Sequence, residues 1–240
     1  MKIYAHRGAS AYAPENTMAA FHMAHSMGAH GVELDVQLTM DGKLVVIHDH
    51  ILERTSNGQG MVKDHTLAQL RQLDFGGWFS PAFAGEQIPT LHEVLAFIVE
   101  SGMEINIELK TCSLEYDKRI AAHTVEMVQS FNLLDKTIIS SFDHRSVLDA
   151  LERDTRIKIG LLYSANLIDP GDYACKLGAQ CIHPHYAYID EAAIENCGKN
   201  GIAINVWTVD DVAVARQLRG IGTSVLITNK PDIMLSAVLE

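Results

Sequence analysis

The run Gly31-Val32-Glu33-Leu34-Asp35-Val36 alternates apolar and acidic side chains one by one. Successive side chains of a β-strand point to opposite faces, so Glu33 and Asp35 share one face and Val32, Leu34 and Val36 the other. Further along, Glu104-Ile105-Asn106-Ile107-Glu108-Leu109-Lys110 repeats the pattern, with Ile105, Ile107 and Leu109 opposite Asn106, Glu108 and Lys110. Such strands fit a barrel. The apolar face packs outward on helices, and the polar face turns to the axis.

The surrounding sequence has the matching rhythm. Val/Ile-rich segments at 2–6, 31–37, 44–48, 104–110, 137–142, 157–161, 179–183, 202–208 and 224–228 read as strands. Amphipathic stretches at 17–27, 90–101, 114–131, 145–153, 169–176, 191–200, 212–219 and 231–238 read as helices. With 44–48 taken as a hairpin continuation of the second strand, eight βα units remain, and the expected fold is an α/β (β/α)8 TIM barrel. A length of 240 residues suits one such domain spanning 1–240. Periodicity alone leaves the doubly wound sheet open. Residues 49–89 break the rhythm with Asn57-Gly58, Gly76-Gly77 and Ser80-Pro81 around one short helical segment at 66–73. They are expected to form a small insertion after the second strand, lying over the barrel mouth.

The balance of 19 Lys and Arg against 30 Asp and Glu gives a net charge of −11. Nucleic-acid binding relies on basic surface that displaces counterions, so it is not expected here. Cys112, Cys175, Cys181 and Cys197 form no C-x-x-C pair, and reduced thiols are the expectation. No signal-peptide pattern and no run of 18 apolar residues is present, so the expected location is cytoplasmic, without stable membrane association. A homodimer is the base-rate expectation for a soluble enzyme.

Chemistry begins with the inward acids. Glu33, Asp35 and Glu108 enclosed together repel one another and lose hydration, so they need protons or a cation. An all-oxygen set suits one divalent cation, Mg²⁺ or Ca²⁺, rather than zinc. A metal-free ion-pair network with Arg7 and Lys110 is the competing reading, and it leaves one negative charge uncompensated. His6 and His48 end apolar strand runs, where barrel active sites lie, and a pair of imidazoles suits acid–base work. Arg7, with its planar fork, and Lys110, as a point charge, suit a phosphate. His48-Asp49-His50 and His183-Pro184-His185 also have the H-x-H spacing of zinc chelators, a weaker reading here.

At this point an ordered set of motifs is recognisable: His6-Arg7-Gly8, Glu15-Asn16-Thr17, Glu33-Leu34-Asp35, His48-Asp49, Glu108-Leu109-Lys110, Ser140 with Phe142, Trp207-Thr208-Val209 and Thr228-Asn229-Lys230-Pro231. The sequence resembles the glycerophosphodiester phosphodiesterase family over nearly its whole length. The resemblance implies a barrel with a small insertion after the second strand. It implies a divalent metal on Glu33, Asp35 and Glu108, and an acid–base pair of His6 and His48. The substrate-binding set expected with it is Arg7, Lys110, Phe142, His183 and Trp207. The implied reaction cleaves small glycerophosphodiesters, such as glycerophosphocholine, to sn-glycerol 3-phosphate and an alcohol. Rival readings are a phospholipase C-like or D-like activity on lysolipids and a phosphate-ligand sensor without turnover. Asn229 departs from the family pattern, where many members carry Asp, at a position not expected to be chemical.

Overall fold

The structure, a computed structural model, describes residues 1–111 and 117–239. Eight parallel strands form the barrel: β1 (Lys2–His6), β2 (Gly31–Leu38), β4 (Glu104–Leu109), β5 (Thr137–Ser141), β6 (Lys158–Tyr163), β7 (Cys181–Pro184), β8 (Ala203–Val206) and β9 (Val225–Thr228). β1 pairs with β2 on one side and β9 on the other, which closes the ring and excludes the doubly wound sheet. Helices α1 (Met18–Ser26), α3 (Leu91–Ser101), α4 (Arg119–Ser130), α5 (His144–Arg153), α6 (Pro170–Leu177), α7 (Glu191–Asn200), α8 (Val212–Gly220) and α9 (Pro231–Leu239) alternate with them. The expected start of the helix at 114–131, residues 114–116, and Cys112 lie outside the described residues.

The strand phase explains the layers. Val32, Leu34, Val36, Ile105, Ile107 and Leu109 share one buried cluster with Phe21 of α1, Leu95 and Ile98 of α3, and Val125 of α4. Each such side chain contributes about 1.5–3 kcal/mol by burial. The inner face is different. Buried Glu33, Asp35, Asn106, Glu108, Ser140, His183 and Asn205 occupy it, beside a smaller apolar set that includes Leu162 and a group of Tyr4, Val225 and Ile227 with Trp207 against them. The larger apolar core therefore lies in the outer layer, and the inner face carries the polar side chains.

β3 (Leu44–Val46) runs antiparallel on β2, with Val36 opposite Val46. It is shorter than the expected 44–48. Beyond Val46 the Ile47 N–H still donates to the Asp35 carbonyl at 3.0 Å, while the Gln37 amide of β2 donates to the carbonyls of Ile47, His48 and Asp49 at 3.1, 3.0 and 2.7 Å. Leu44 and Val46 face the main core, whereas Val45 joins a second core with Ile47, Leu52, Val62, Leu70, Phe75 and Ile88. One strand thus anchors residues 47–89 to the barrel through its alternate side chains. The helical segment expected at 66–73 is a single turn, α2 (Leu67–Leu70), started by a Thr66–Gln69 capping box.

Candidate active site

β1 delivers His6 to the C-terminal end of the barrel, level with Glu33 across the β1–β2 ladder. The chain then reverses sharply, with Arg7 at φ +56° and Gly8 at φ +82°. A Cβ on Gly8 would stand 2.6 Å from the Ala20 Cβ, so only glycine fits the turn against α1. A left-handed arginine costs about 1–2 kcal/mol. It is held there by its backbone N–H, which donates to Glu33 Oε2 at 3.0 Å.

Register places the third acid. Asp35 of β2 lies opposite Glu108 of β4, and Glu33 opposite Asn106. Oxygen atoms of Glu33, Asp35 and Glu108 all lie within 4.8 Å of one another, the one such cluster of potential metal ligands among the described residues. All three side chains are buried. Lys110 Nζ sits 2.8 Å from Glu108 Oε1 and 3.8 Å from Asp35 Oδ1, and Arg7 Nε 3.5 Å from Asp35 Oδ2. Asn16 Nδ2 donates to Asp35 Oδ2 at 2.9 Å. Burial and the neighbouring acids push Glu33 well above the ordinary carboxylate range and Glu108 up to about 7. Burial also pushes Asp35 upward, but Arg7 and Lys110 outweigh it and hold Asp35 low. Asp35 Oδ1 has no hydrogen-bond partner. Clustered buried carboxylates with an orphan oxygen fit a hard divalent cation, which would replace the protons these acids otherwise keep.

The two histidines stand on different supports. His6 Nε2 lies 4.0 Å from Glu33 Oε2, and His6 Nδ1 is 2.7 Å from Asn229 Oδ1. Burial and the Arg7 charge lower its pKa from 6.5 to about 4. His48 Nδ1 lies 2.6 Å from Asp49 Oδ1. Burial lowers its pKa, opposed by Asp35. Behind Asp49 runs a chain of charges. Arg54 from the insertion forks onto Asp49 at 2.5 and 3.1 Å and onto Glu15 at 2.8 and 2.8 Å, and Glu15 accepts from Arg7 Nη1 at 2.7 Å.

A small cavity joins both histidines, Arg7, Glu33 and Glu108 to Phe142 and Trp207. Those two rings meet edge to face at 5.5 Å. Lys110 does not line this cavity; its ammonium is turned to the carboxylates. His183 does not line it either. Its ring is fully buried beneath, with Nε2 3.0 Å from Asn205 Nδ2 and 3.3 Å from Cys181 Sγ, and burial lowers its pKa to about 3. The His183 carbonyl accepts from Trp207 Nε1 at 2.8 Å, so the residue supports the cavity wall through its backbone. The H-x-H pairs do not converge. His50 donates to Gln37 Oε1 at 2.9 Å, and His185 accepts from the Ala187 N–H and packs on Trp207.

Several residues at the site escaped sequence reasoning. Glu15 and Asn16 stood in the family motifs but had no assigned task. Arg54, Gln37 and Asp210 gave no motif signal. Asn229, set aside as non-chemical, touches His6 directly.

Fold and site together describe a barrel hydrolase with an acid-lined centre, and known proteins specify which. The model of the glycerophosphoryl diester phosphodiesterase family matches residues 6–233. A glycerophosphodiester phosphodiesterase of Caldanaerobacter subterraneus subsp. tengcongensis is 42% identical over 236 residues, covering 98% of this chain and 97% of that one. An Oleispira antarctica phosphodiesterase, solved in complex with the product sn-glycerol-3-phosphate, superposes with a TM-score of 0.95 at 32% identity, covering 100% of this chain and 97% of that one. A glycerophosphodiester phosphodiesterase of Thermotoga maritima gives a TM-score of 0.79 at 31% identity, over 98% and 97% of the chains. This chain belongs to the glycerophosphoryl diester phosphodiesterase family and is an enzyme of that class. No helix among the described residues is long and apolar enough to cross a membrane.

Proposed function

We propose that the enzyme hydrolyses small glycerophosphodiesters, such as glycerophosphocholine and glycerophosphoethanolamine, to sn-glycerol 3-phosphate and the free alcohol. The observation that carries this reading is the buried Glu33, Asp35 and Glu108 cluster, of which Glu33 and Glu108 line one cavity with His6, His48 and Arg7. The product found in the Oleispira relative supports the substrate class. Glu33, Asp35 and Glu108 would hold one Mg²⁺ or Ca²⁺, which when bound supplies positive charge against the phosphate oxygens. Arg7 adds a fixed positive charge on the cavity wall, and Lys110 holds the carboxylates from behind. Phe142 and Trp207 form the apolar side. Residues 47–89 act as an inserted wall that brings His48 over the barrel mouth.

The supports of the two histidines divide their roles. His6 faces a neutral amide through Nδ1, whose weak support for an imidazolium is outweighed by burial and the Arg7 charge. The depressed pKa leaves it neutral and able to take a proton. His48, whose pKa burial also lowers, faces the Asp49 carboxylate, which favours the protonated ring. His6 therefore removes the proton from the attacking oxygen, either water or the free hydroxyl beside the ester. As the phosphorus–oxygen bond to the alcohol breaks, His48 gives its proton to the departing oxygen. If the hydroxyl attacks, a cyclic phosphate forms. Water then opens it with the two histidines in exchanged roles.

The test is release of glycerol 3-phosphate from glycerophosphocholine by the purified protein, with Mg²⁺, with Ca²⁺ and after chelation. Lysophosphatidylcholine is assayed alongside. Cation-dependent release from glycerophosphocholine is expected. Turnover of the lysolipid alone, or release unaffected by chelation, would overturn the reading.

A further inference from the structure

The pair behind His6 has a direction built into it. Asp210, which follows β8, accepts from Thr228 Oγ1 and the Asn229 N–H through Oδ1, both at 2.8 Å, and from Asn229 Nδ2 through Oδ2 at 2.5 Å. An ionised carboxylate only accepts, so the group that Asn229 turns toward it must be the NH₂. The amide oxygen then points the other way, to His6 Nδ1 at 2.7 Å and Ser10 Oγ at 2.7 Å. A carbonyl oxygen also only accepts. His6 Nδ1 must therefore carry the proton, and in the neutral ring Nε2 is bare. That bare nitrogen is the one facing the acid cluster, 4.0 Å from Glu33 Oε2.

Without the carboxylate the direction would be lost. The Ser10 hydroxyl has a second acceptor in the His6 carbonyl at 2.7 Å. It can therefore donate there and accept from a flipped Asn229 NH₂. In that arrangement His6 Nδ1 accepts, and its proton moves to Nε2. Ser10 tolerates both amide orientations; Asp210 admits one.

We propose that Asn229 and Asp210 are positioning residues that lock His6 in the tautomer protonated on Nδ1. The proposal deepens the reading of His6 as an acid–base residue and rests on it. In the resting ring, Asp210 sets the amide, the amide sets the proton, and the proton leaves the Nε2 lone pair free for the attacking oxygen.

The full-length protein labelled with ¹⁵N at histidine gives the first test. A long-range ¹H–¹⁵N spectrum, with His6 assigned by loss of its signals in His6→Gln, shows which ring nitrogen is protonated. Nδ1–H is expected. Nε2–H in the wild type overturns the proposal without any further variant. Asp210→Asn should populate the Nε2–H tautomer and lower kcat by about 10–100-fold, the usual range for the partners of site residues, with KM changed less than about twofold. Asn229→Asp alone sets two carboxylates face to face and should be worse. Combined with Asp210→Asn it should restore the wild-type tautomer and most of kcat. The pair then holds one carboxylate and one amide again, with every donor matched. A double variant no better than Asp210→Asn, or an Asp210→Asn enzyme with unchanged tautomer and kcat, overturns the proposal. If His6→Gln retains turnover while the wild-type ring is locked as Nδ1–H, the acid–base reading of His6 fails and the positioning pair stands.

Discussion

His6 and His48 face the same cavity from opposite kinds of support. His6 leans on the closing strands of the barrel, through the neutral amide of Asn229 and then Asp210. His48 leans on the insertion, through the Asp49 carboxylate and then Arg54, Glu15 and Arg7. A neutral amide fixes a ring and favours its charge only weakly, while a carboxylate fixes it and favours the imidazolium more strongly. In the proposed mechanism the barrel frame supplies the proton acceptor and the inserted segment orients the donor. Arg54 is the joint, because its two forks bind one acid from each body.

The sharpest break of this symmetry comes from the leaving group. His6→Ala and His48→Ala should each lower kcat on glycerophosphocholine by about 10²–10⁴-fold, the usual contribution of a positioned acid or base, with the circular dichroism spectrum unchanged. A diester that releases an acidic phenol needs no proton on departure. Turnover of such a substrate should recover most of its rate in His48→Ala and little in His6→Ala. Equal recovery in both would remove the division of roles.

A smaller effect is expected at the joint. Arg54 is 42% exposed, so its ion pairs contribute little to stability, but its two forks orient groups that touch the chemistry. Arg54→Ala should lower kcat roughly tenfold, within the range for such supporting residues, and leave the melting temperature nearly unchanged. Arg54→Lys should not restore the rate, since a single ammonium cannot make two bidentate pairs. Guanidinium ion added to Arg54→Ala should restore part of kcat and have no such effect on Asn229→Ala. Rescue in neither variant would mean that the chain from Asp49 to Arg7 does not act through the guanidinium.

The contrast also shows what is readable in a sequence. Strand phase revealed Glu33, Asp35 and Glu108, because a charge on the inner face of an apolar strand is conspicuous without any partner. It also sorted Val32 and Ile107 to the helices. Ring closure was not readable, because it resides in the pairing of β1 with β9, and alternation carries no record of a strand's neighbours. The supports were hidden for a related reason. Asn229, Asp210, Gln37 and Arg54 are ordinary loop or strand polars until folding gives them partners. The interest of Asn229 is which way its amide points, and that is decided by a carboxylate 19 positions earlier in the chain. His183 erred the other way. Its spacing and residue type suggested a ligand, but its ring is spent on Asn205 and Cys181 over Gly160, whose missing side chain makes room for it.

The smallest predicted effect concerns what both histidines face. In the metal-free protein Glu108 has its pKa raised from 4.5 to about 7, by burial first and Asp35 second, and Glu33 is raised in the same direction. A raised folded-state pKa gives stability that is complete below the unfolded value and is lost as pH climbs through the folded value. These acids therefore destabilise the metal-free fold progressively between about pH 4.5 and 7. His6 works with the opposite slope. Its pKa falls from 6.5 to about 4, so its contribution is complete above 6.5 and is lost as pH falls toward 4. The two slopes oppose each other in the metal-free protein. A bound cation requires ionised carboxylates and so removes the acid slope only. The rise in melting temperature on adding Mg²⁺ or Ca²⁺ should then be larger at pH 7.5 than at pH 5.5. The expected difference is at least about 2–4 °C, the shift produced by 1 kcal/mol in a domain of this size. Asp35→Asn removes a proposed ligand and should abolish that difference. An equal rise at both pH values would mean that the cation binds away from Glu33, Asp35 and Glu108, and the histidines would then have to be read without it.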